Sequence, residues 1–253
     1  MGNRLCIIIN ADDLGLSEEV NSAIFELMAQ GKVTSATMLA NGPAVAEAVA
    51  RVREFPGCSF GVHLNLTEFK PITASSGLAP LLNEAGEFAG DRIREIKVRA
   101  PLREAIYREW CAQIERLRAL GVQPTHIDSH HHVHTIPALF GTLKAVQRQS
   151  GIRRVRNTLN LYSQSETKSW MFLLKKRLWS FSLKTCYSTR TTEVLTRLRP
   201  FIEAGRAGLI RCQSLELMTH PGSPGYADEL ALLGTDWCRC LPLTVELISY
   251  HEV

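Results

Sequence analysis

The chain has 253 residues, of which 45% are hydrophobic and 21% are charged, and its formal net charge is +4. This composition is globular and excludes collagen-like, coiled-coil and disordered chains. The mild positive charge is well below that of a typical nucleic-acid-binding domain, so we expect no nucleic-acid partner. Seven cysteines without a CxxC pair indicate reduced thiols, and the apolar run at residues 5–9 is too short for a signal peptide. We therefore expect a cytoplasmic protein.

Short apolar runs alternate with segments of helical periodicity. In chain order the sequence predicts a strand at 5–10, a helix at 20–28, a strand at 34–39, a helix at 45–52, strands at 58–66 and 125–129 with a helix at 106–117 between them, a helix at 139–146, a strand at 153–156, a helix at 195–202, and strands at 215–219 and 245–249. Repeated β-then-α units predict a parallel sheet covered by helices. We therefore predict a single-domain α/β fold over residues 1–253, a distorted or incomplete (β/α) barrel, with a doubly wound open sheet as the alternative.

Two segments interrupt this alternation. Residues 70–99 contain three glycines and several acids, which indicates a long loop insertion. Residues 163–190 are basic and aromatic, with apolar side chains on one helical face and six cationic residues: Trp170, Leu174, Leu178 and Phe181, and Lys168, Lys175, Lys176, Arg177, Lys184 and Arg190. Such a segment is compatible with peripheral contact at the inner membrane surface, with a site for the phosphate of a lipid-linked sugar, or with an ordinary barrel helix or lid.

Three polar clusters fall where predicted strands end. Asp12 and Asp13 follow the first strand, His63 lies within GVHLNLT, and HIDSHHHVH runs from His126 to His134. Ligands and catalytic groups collect at the carboxyl ends of parallel strands, so we expect these clusters to converge.

The density of histidine in the third cluster predicts a metal site. Five of the eight histidines lie within nine residues. Two histidines and one carboxylate hold a metal ion and leave coordination positions open for catalysis. The end of the strand at 125–129 favours His130 as the ligand, with His132 and His134 lining the pocket or supporting the ligands. The ordinary alternatives are a helix N-cap for the aspartates, a core histidine for His63 and a solvated loop for the tract.

The combined motifs resemble those of the YdjC/ChbG family of carbohydrate deacetylases. NADDLGLSEEVN, VTSATMLANG, GVHLNLT, THIDSHHHVHTIP and ELMTHPG occur in the family's order. The resemblance implies a distorted (β/α) barrel that removes acetyl groups from N-acetylated amino sugars with one divalent metal ion, magnesium or zinc. It implies that Asp13, His63 and His130 bind the metal and that Asp12 is the general base. It also implies that His220 acts as an acid or positions the substrate.

The resulting hypothesis is a metal-dependent hydrolase that releases acetate from an N-acetylamino sugar or its oligosaccharide or lipid-linked conjugate. A non-haem iron oxygenase is one alternative, because His126 and Asp128 resemble part of a facial triad. A non-catalytic sugar- or metal-binding protein is the other alternative. The sequence is also compatible with a homo-oligomer.

Overall fold

A computed structural model of the protein describes residues 4–162 and 168–253. Eight strands and eight α-helices follow one another along these residues, alternating except where α3 and α4 both lie between β3 and β4: β1 (Arg4–Leu14), α1 (Glu18–Ala29), β2 (Ser35–Met38), α2 (Val45–Arg51), β3 (Ser59–Leu64), α3 (Arg92–Glu95), α4 (Ala100–Ala119), β4 (His126–Ser129), α5 (Phe140–Ser150), β5 (Arg154–Val155), α6 (Trp170–Thr185), β6 (Val194–Thr196), α7 (Leu198–Arg206), β7 (Ser214–Thr219), α8 (Ala227–Leu233) and β8 (Thr244–Leu247). Short 3-10 helices occupy several connections, among them Ser76–Leu81 and His130–Thr135.

All strand pairings within the sheet are parallel. The order is β5-β4-β3-β2-β1-β7-β6, and β8 also pairs with β1. Strand β1 is long enough to pair with three strands: with β7 along residues 6–11, with β8 along residues 4–7 and with β2 along residues 10–14. Because β7 and β8 pair with overlapping parts of β1, β8 lies on the edge of β1 that also carries β2. One edge of β1 therefore pairs with β7, and the other edge pairs first with β8 and then with β2.

The sheet curls until its two outer strands approach one another. Single bridges join Arg154 to Arg190 and Asn160 to Leu195, which link the β5 side to the β6 side. The flanking helices bury their apolar faces on this curled sheet, with Phe25 of α1 and Trp110 of α4 among the fully buried side chains. The predicted α/β fold, an incomplete (β/α) barrel in a single domain, is confirmed.

Several predicted element boundaries differ from the structure. Leu195 belongs to β6, and the helix predicted to begin there begins at Leu198. A strand of three residues has too few positions for its period to be distinguished from that of a helix. Helix α8 was not predicted. The segment at 70–99 contains a 3-10 helix and α3, and it contributes buried apolar side chains to the core: Leu78, Leu81, Phe88 and Ile93.

The basic segment begins at residues 163–167, which lie outside the described residues. Its remainder forms α6, a short 3-10 helix and the approach to β6. No helix among the residues described is both long and apolar enough to cross a membrane.

Candidate active site at the carboxyl ends of the strands

Three side chains from distant parts of the chain meet at the carboxyl ends of β1, β3 and β4. Asp13 lies near the end of β1, His63 lies in β3, and His130 directly follows β4. Asp13 Oδ1 is 3.1 Å from His63 Nε2 and 2.7 Å from His130 Nδ1. All three side chains are buried. The structure thus brings the three sequence-predicted metal ligands together.

A bulge in β1 explains how two adjacent aspartates serve one site. Between Ala11 and Leu14 the pairing of β1 with β2 shifts, because three steps along β1 oppose two steps along β2. Asp13 has a left-handed backbone with φ 68°. Successive side chains of a regular strand point to opposite faces, and a bulge breaks that alternation. Asp12 can therefore face Arg156 while Asp13 faces the histidines.

The ring of His63 is oriented by hydrogen bonds on its other nitrogen. His63 Nδ1 is 2.7 Å from Asp128 Oδ1 and 3.1 Å from Thr37 Oγ1, whose hydroxyl donates to Asp128 Oδ2. Burial lowers the pKa of His63, but Asp128 and Asp13 outweigh it and raise the pKa to about 10. Because Nδ1–H donates to the Asp128 carboxylate, Nε2 is the nitrogen that a metal ion would bind, by displacing the proton that Nε2 carries without the ion.

The histidine tract turns sharply after β4. His131 and His132 both have left-handed backbones, with φ 48° and φ 54°. This turn places His130 beside Asp13, while His134 hydrogen-bonds to Ser129 Oγ through its ring. Burial and then Arg156 lower the pKa of His132 to about 3, so His132 is neutral near pH 7. Predicted roles for His132 and His134 near the pocket are therefore compatible with their positions.

Two imidazole nitrogens and one carboxylate oxygen suit a divalent ion. In the described part of the chain three groups have ligand atoms within 4.8 Å of one another: Asp13–His63–His130, Glu68–His130–His131 and Asp12–His63–Asp128. Only the first is both fully buried and free of a bound guanidinium, because Glu68 and His131 are accessible and Arg156 lies between Asp12 and Asp128. Asp13–His63–His130 therefore fits a catalytic ion best.

Sequence reasoning missed Arg156, the fully buried cation of the site. Its guanidinium contacts both oxygens of Asp12, at 2.7 and 2.5 Å, and also Asp128 and Glu216. Tyr250 completes the network by donating its hydroxyl proton to Glu216. Burial raises the pKa of Asp12, but Arg156 outweighs it and holds that pKa well below its usual range. The one available signal was position, since Arg156 directly follows β5 as His130 follows β4.

His220 directly follows β7, and its ring lies near the carboxylate of Asp12. Its Nε2 is 3.9 Å from Asp12 Oδ2, its ring stacks on Tyr226, and its backbone N–H donates to Glu229. Burial lowers the pKa of His220 more than Asp12 raises it. His220 is therefore neutral near pH 7.

A cleft of about 720 Å³ opens beside these residues. It is lined by polar, charged and aromatic side chains, including His132, Asn160, Arg197, Tyr226 and Glu229. A cleft of this size is typical of small-molecule sites.

His126 lies away from the candidate metal ligands. Its ring stacks on that of Tyr250, with 3.7 Å between the ring centroids, and its Nε2 is 3.2 Å from Asn10 Oδ1. It belongs to none of the candidate metal groups found among the described residues.

Several proteins are similar to this chain in sequence, and one crystal structure is similar to it in fold. The chain is 44% identical to a carbohydrate deacetylase of Geobacillus stearothermophilus over 155 residues, covering 60% of each chain. It is 31% identical to a chitooligosaccharide deacetylase of Klebsiella pneumoniae over 233 residues, covering 92% of this chain and 86% of the other. A crystal structure from Enterococcus faecalis V583, provisionally described as a cellobiose-phosphate cleavage protein, superimposes with a TM-score of 0.79 at 28% identity and 98% coverage of both chains.

A family-level match spans nearly the whole chain. The sequence model described as YdjC-like protein covers residues 6–239, which include every strand-end residue of the site. The chain therefore belongs to the YdjC-like protein family.

Proposed function

We propose that the protein is a metal-dependent carbohydrate N-deacetylase that hydrolyses the acetamide of an N-acetylamino sugar or its oligosaccharide. The observation that carries this proposal is the convergence of Asp13, His63 and His130 beside an ionised Asp12. A binding protein has no need of a buried, ionised carboxylate next to its metal ligands. The relatives' names, carbohydrate and chitooligosaccharide deacetylase, support an N-acetylated sugar as the substrate.

The reaction adds water to the acetyl carbonyl carbon, breaks the C–N bond and leaves acetate and a free amine. Asp13, His63 and His130 would hold the divalent ion, whose Lewis acidity would lower the pKa of water toward about 7 and polarise the carbonyl. Asp12 accepts the proton of the attacking water. Arg156 keeps Asp12 ionised through two hydrogen bonds, so that the carboxylate is ready for this proton at neutral pH.

His220 is the proposed donor to the leaving amine. It is neutral at rest, so it must first gain a proton, and the proposed source is Asp12, 3.9 Å from its Nε2, because Asp12 has taken a proton from the attacking water. A carboxylate with a strongly lowered pKa holds a proton weakly, which favours its onward transfer. We expect His220→Ala to lower kcat while leaving metal content unchanged. Loss of the metal in this variant would instead assign His220 to ion binding.

The donor set favours zinc over magnesium. Magnesium prefers oxygen ligands, whereas two imidazoles and one carboxylate are typical of zinc and its transition-metal neighbours. Loading the chelated protein with each metal separately, at equal concentration, and assaying acetate release tests this preference.

Acetate release from chitooligosaccharides by metal-loaded protein is the direct test. His63→Ala and His130→Ala are each expected to lose bound metal and activity together, because each removes one of three protein ligands. The matched control is His131→Ala, which removes the adjacent histidine and leaves Asp13–His63–His130 intact. If His131→Ala also loses the metal, the ion is held by the Glu68 group instead.

The two alternatives predict different results in the same assay. A non-catalytic binding protein retains metal and sugar but releases no acetate from any N-acetylated saccharide. An iron oxygenase built on His126 and Asp128 does not require Asp13, so Asp13→Ala would retain its activity. Lipid linkage of the substrate, a cytoplasmic location and a homo-oligomer stay predictions.

A further inference from the structure

Helix α6 carries an exposed apolar surface that the proposed reaction does not use. Six of the nine large apolar side chains exposed among the described residues lie on this one helix. Five of them form one stripe, which we call the α6 stripe: Trp170, Met171, Leu174, Leu178 and Phe181. Trp170 is 72% exposed and Phe181 is 66% exposed. A contiguous apolar patch on a folded domain indicates a surface that meets an apolar partner.

The opposite face of α6 fixes the helix to the barrel. Ser180 and Leu183 are buried, and the ring of Trp179 packs edge-on against Phe140. Lys176 Nζ donates to Asn160 Oδ1 at 2.6 Å, and Asn160 lines the cleft beside the candidate active site. The α6 stripe therefore points outward from a helix that is packed in place next to the cleft mouth.

Cations border the α6 stripe on both sides. At about 100° per residue, Arg177 and Lys184 lie along one edge and Lys175 lies along the other. All three side chains are exposed. The sequence WMFLLKKRLWSFSLKT contains four cations and no acidic residue. An apolar stripe between cationic edges is the pattern of a helix that lies in the interface of an anionic bilayer.

We propose that α6 docks the protein on an anionic lipid bilayer, with its axis along the surface and the α6 stripe inserted at the headgroup boundary. The helix has 16 residues, fewer than the roughly 20 needed to cross a bilayer, so it lies on the membrane rather than through it. Pairing with a second copy of the chain is disfavoured, because a two-fold contact between stripes brings the cationic edges of both copies together. In this arrangement the cleft mouth sits near the membrane surface.

Co-sedimentation with vesicles tests the proposal. We expect the full chain to pellet with vesicles of equimolar phosphatidylcholine and phosphatidylglycerol at low salt, and to remain in solution with pure phosphatidylcholine. The triple variant Lys175→Gln/Arg177→Gln/Lys184→Gln is expected to partition about 100-fold more weakly, since each cation near an anionic surface contributes several-fold. Its matched control removes three exposed cations elsewhere: Arg53→Gln/Lys97→Gln/Arg206→Gln.

The apolar contribution has its own control pair. Trp170→Ser/Phe181→Ser is expected to weaken partitioning at least about 10-fold, because both side chains lose apolar area that insertion buries. Leu120→Ser/Leu209→Ser removes two exposed apolar side chains outside α6 and is expected to bind as the unmodified protein does. All four variants are expected to release acetate from soluble chitooligosaccharides at the unmodified rate, which separates failure of docking from failure of the proposed deacetylase.

Three results would overturn the proposal. The first is no binding of the unmodified protein to the anionic vesicles at low salt. The second is binding that the α6 variants reduce no more than their controls do. The third is a dimer in analytical ultracentrifugation that Trp170→Ser/Phe181→Ser converts to a monomer, which would make the α6 stripe an interface between copies of the chain.

Discussion

At the scale of single residues, the site depends on one buried cation shared among three buried carboxylates. Arg156 contacts Asp12, Asp128 and Glu216, and each of these acids has a second partner within the core. A buried charge without its partner is strongly destabilising, which is why such networks tolerate little change. Stability and the protonation state of Asp12 are therefore coupled through the same guanidinium.

We expect Asp12→Asn to keep the metal and lose most of its turnover. The amide has nearly the same size as the carboxylate but accepts no proton, and general-base catalysis typically contributes about 10²–10⁴-fold. Bound metal measured by elemental analysis, together with kcat for acetate release, checks this outcome. An Asp12→Asn protein without metal would mean that the roles of Asp12 and Asp13 are exchanged.

Replacing Arg156 is expected to change both pH dependence and stability. Arg156 lowers the pKa of Asp12, so in Arg156→Met that pKa rises and the acid limb of kcat/KM moves to higher pH. Because Asp12 titrates lower in the folded than in the unfolded chain, its stabilising contribution is present above the unfolded pKa of about 3.9 and is lost as pH falls toward the folded value. Arg156→Met removes that contribution.

The size of the Arg156 effect follows from the burial of its partners. Leaving the carboxylates unpaired is expected to lower the free energy of unfolding by about 3–5 kcal/mol. Arg156→Lys keeps the charge but cannot make two hydrogen bonds to the Asp12 carboxylate, so it is the matched control. Its free energy of unfolding should lie between those of the unmodified protein and Arg156→Met. An acid limb that stays in place in metal-loaded Arg156→Met would show that Arg156 does not set the pKa of Asp12.

Arg156 also shows that the sequence around a residue does not predict its buried contacts. An arginine after a strand of two residues has an ordinary surface interpretation, and its burial follows from three acids contributed by β1, β4 and β7. Asp12, Asp13, His63 and His130 were recognised as candidates because they fall at predicted strand ends, and the resemblance to the YdjC/ChbG family implied their roles. Their roles as base and metal ligands stay predictions.

At the scale of elements, close packing between neighbouring strands holds the site in register. Gly61 in β3 lies against the ring of His126 in β4, and a Cβ added at Gly61 would approach ring atoms to 2.6 Å. His126 in turn stacks on Tyr250, which binds Glu216 of the Arg156 network. Strand spacing at this point therefore depends on the absence of a side chain.

We expect Gly61→Ala to lower the free energy of unfolding by about 1–3 kcal/mol, because the buried ring has no free space into which to move. Chemical denaturation measures this change. Gly57→Ala is the matched control, since no atom lies within 4 Å of a Cβ there, and it should be close to neutral. Equal stability of the two variants would show that the His126 ring shifts at little cost.

At the scale of the whole molecule, the three proposed metal ligands come from parts of the sheet that are far apart in the chain. Asp13, His63 and His130 come from β1, β3 and the end of β4, so the complete ligand set exists only in the folded protein. A ligand that binds only the folded state stabilises it by mass action. We therefore expect metal binding to raise the folding stability.

Removal of the ion by a chelator is expected to lower Tm. At an ion concentration about 100 times Kd the stabilisation is about 2.7 kcal/mol, which for a chain of this size corresponds to a shift of about 5–10 °C. Differential scanning calorimetry of chelated and zinc-loaded protein measures the shift. His63→Ala should show no difference between the two conditions, and equal Tm values for the unmodified protein would contradict the site.

The sequence by itself determined the alternation of strands and helices in a parallel α/β fold and the strand-end positions of Asp12, Asp13, His63, His130 and His220, because these depend on local periodicity and on the general behaviour of parallel sheets. The choice between a barrel and an open sheet needed the curvature of the folded sheet. Only the tertiary structure decided that β1 bulges at Asp12 and Asp13, that Arg156 binds three acids, and that the α6 stripe faces outward. Each of these depends on contacts between residues that are far apart in the sequence. The periodicity of one segment does not specify such contacts.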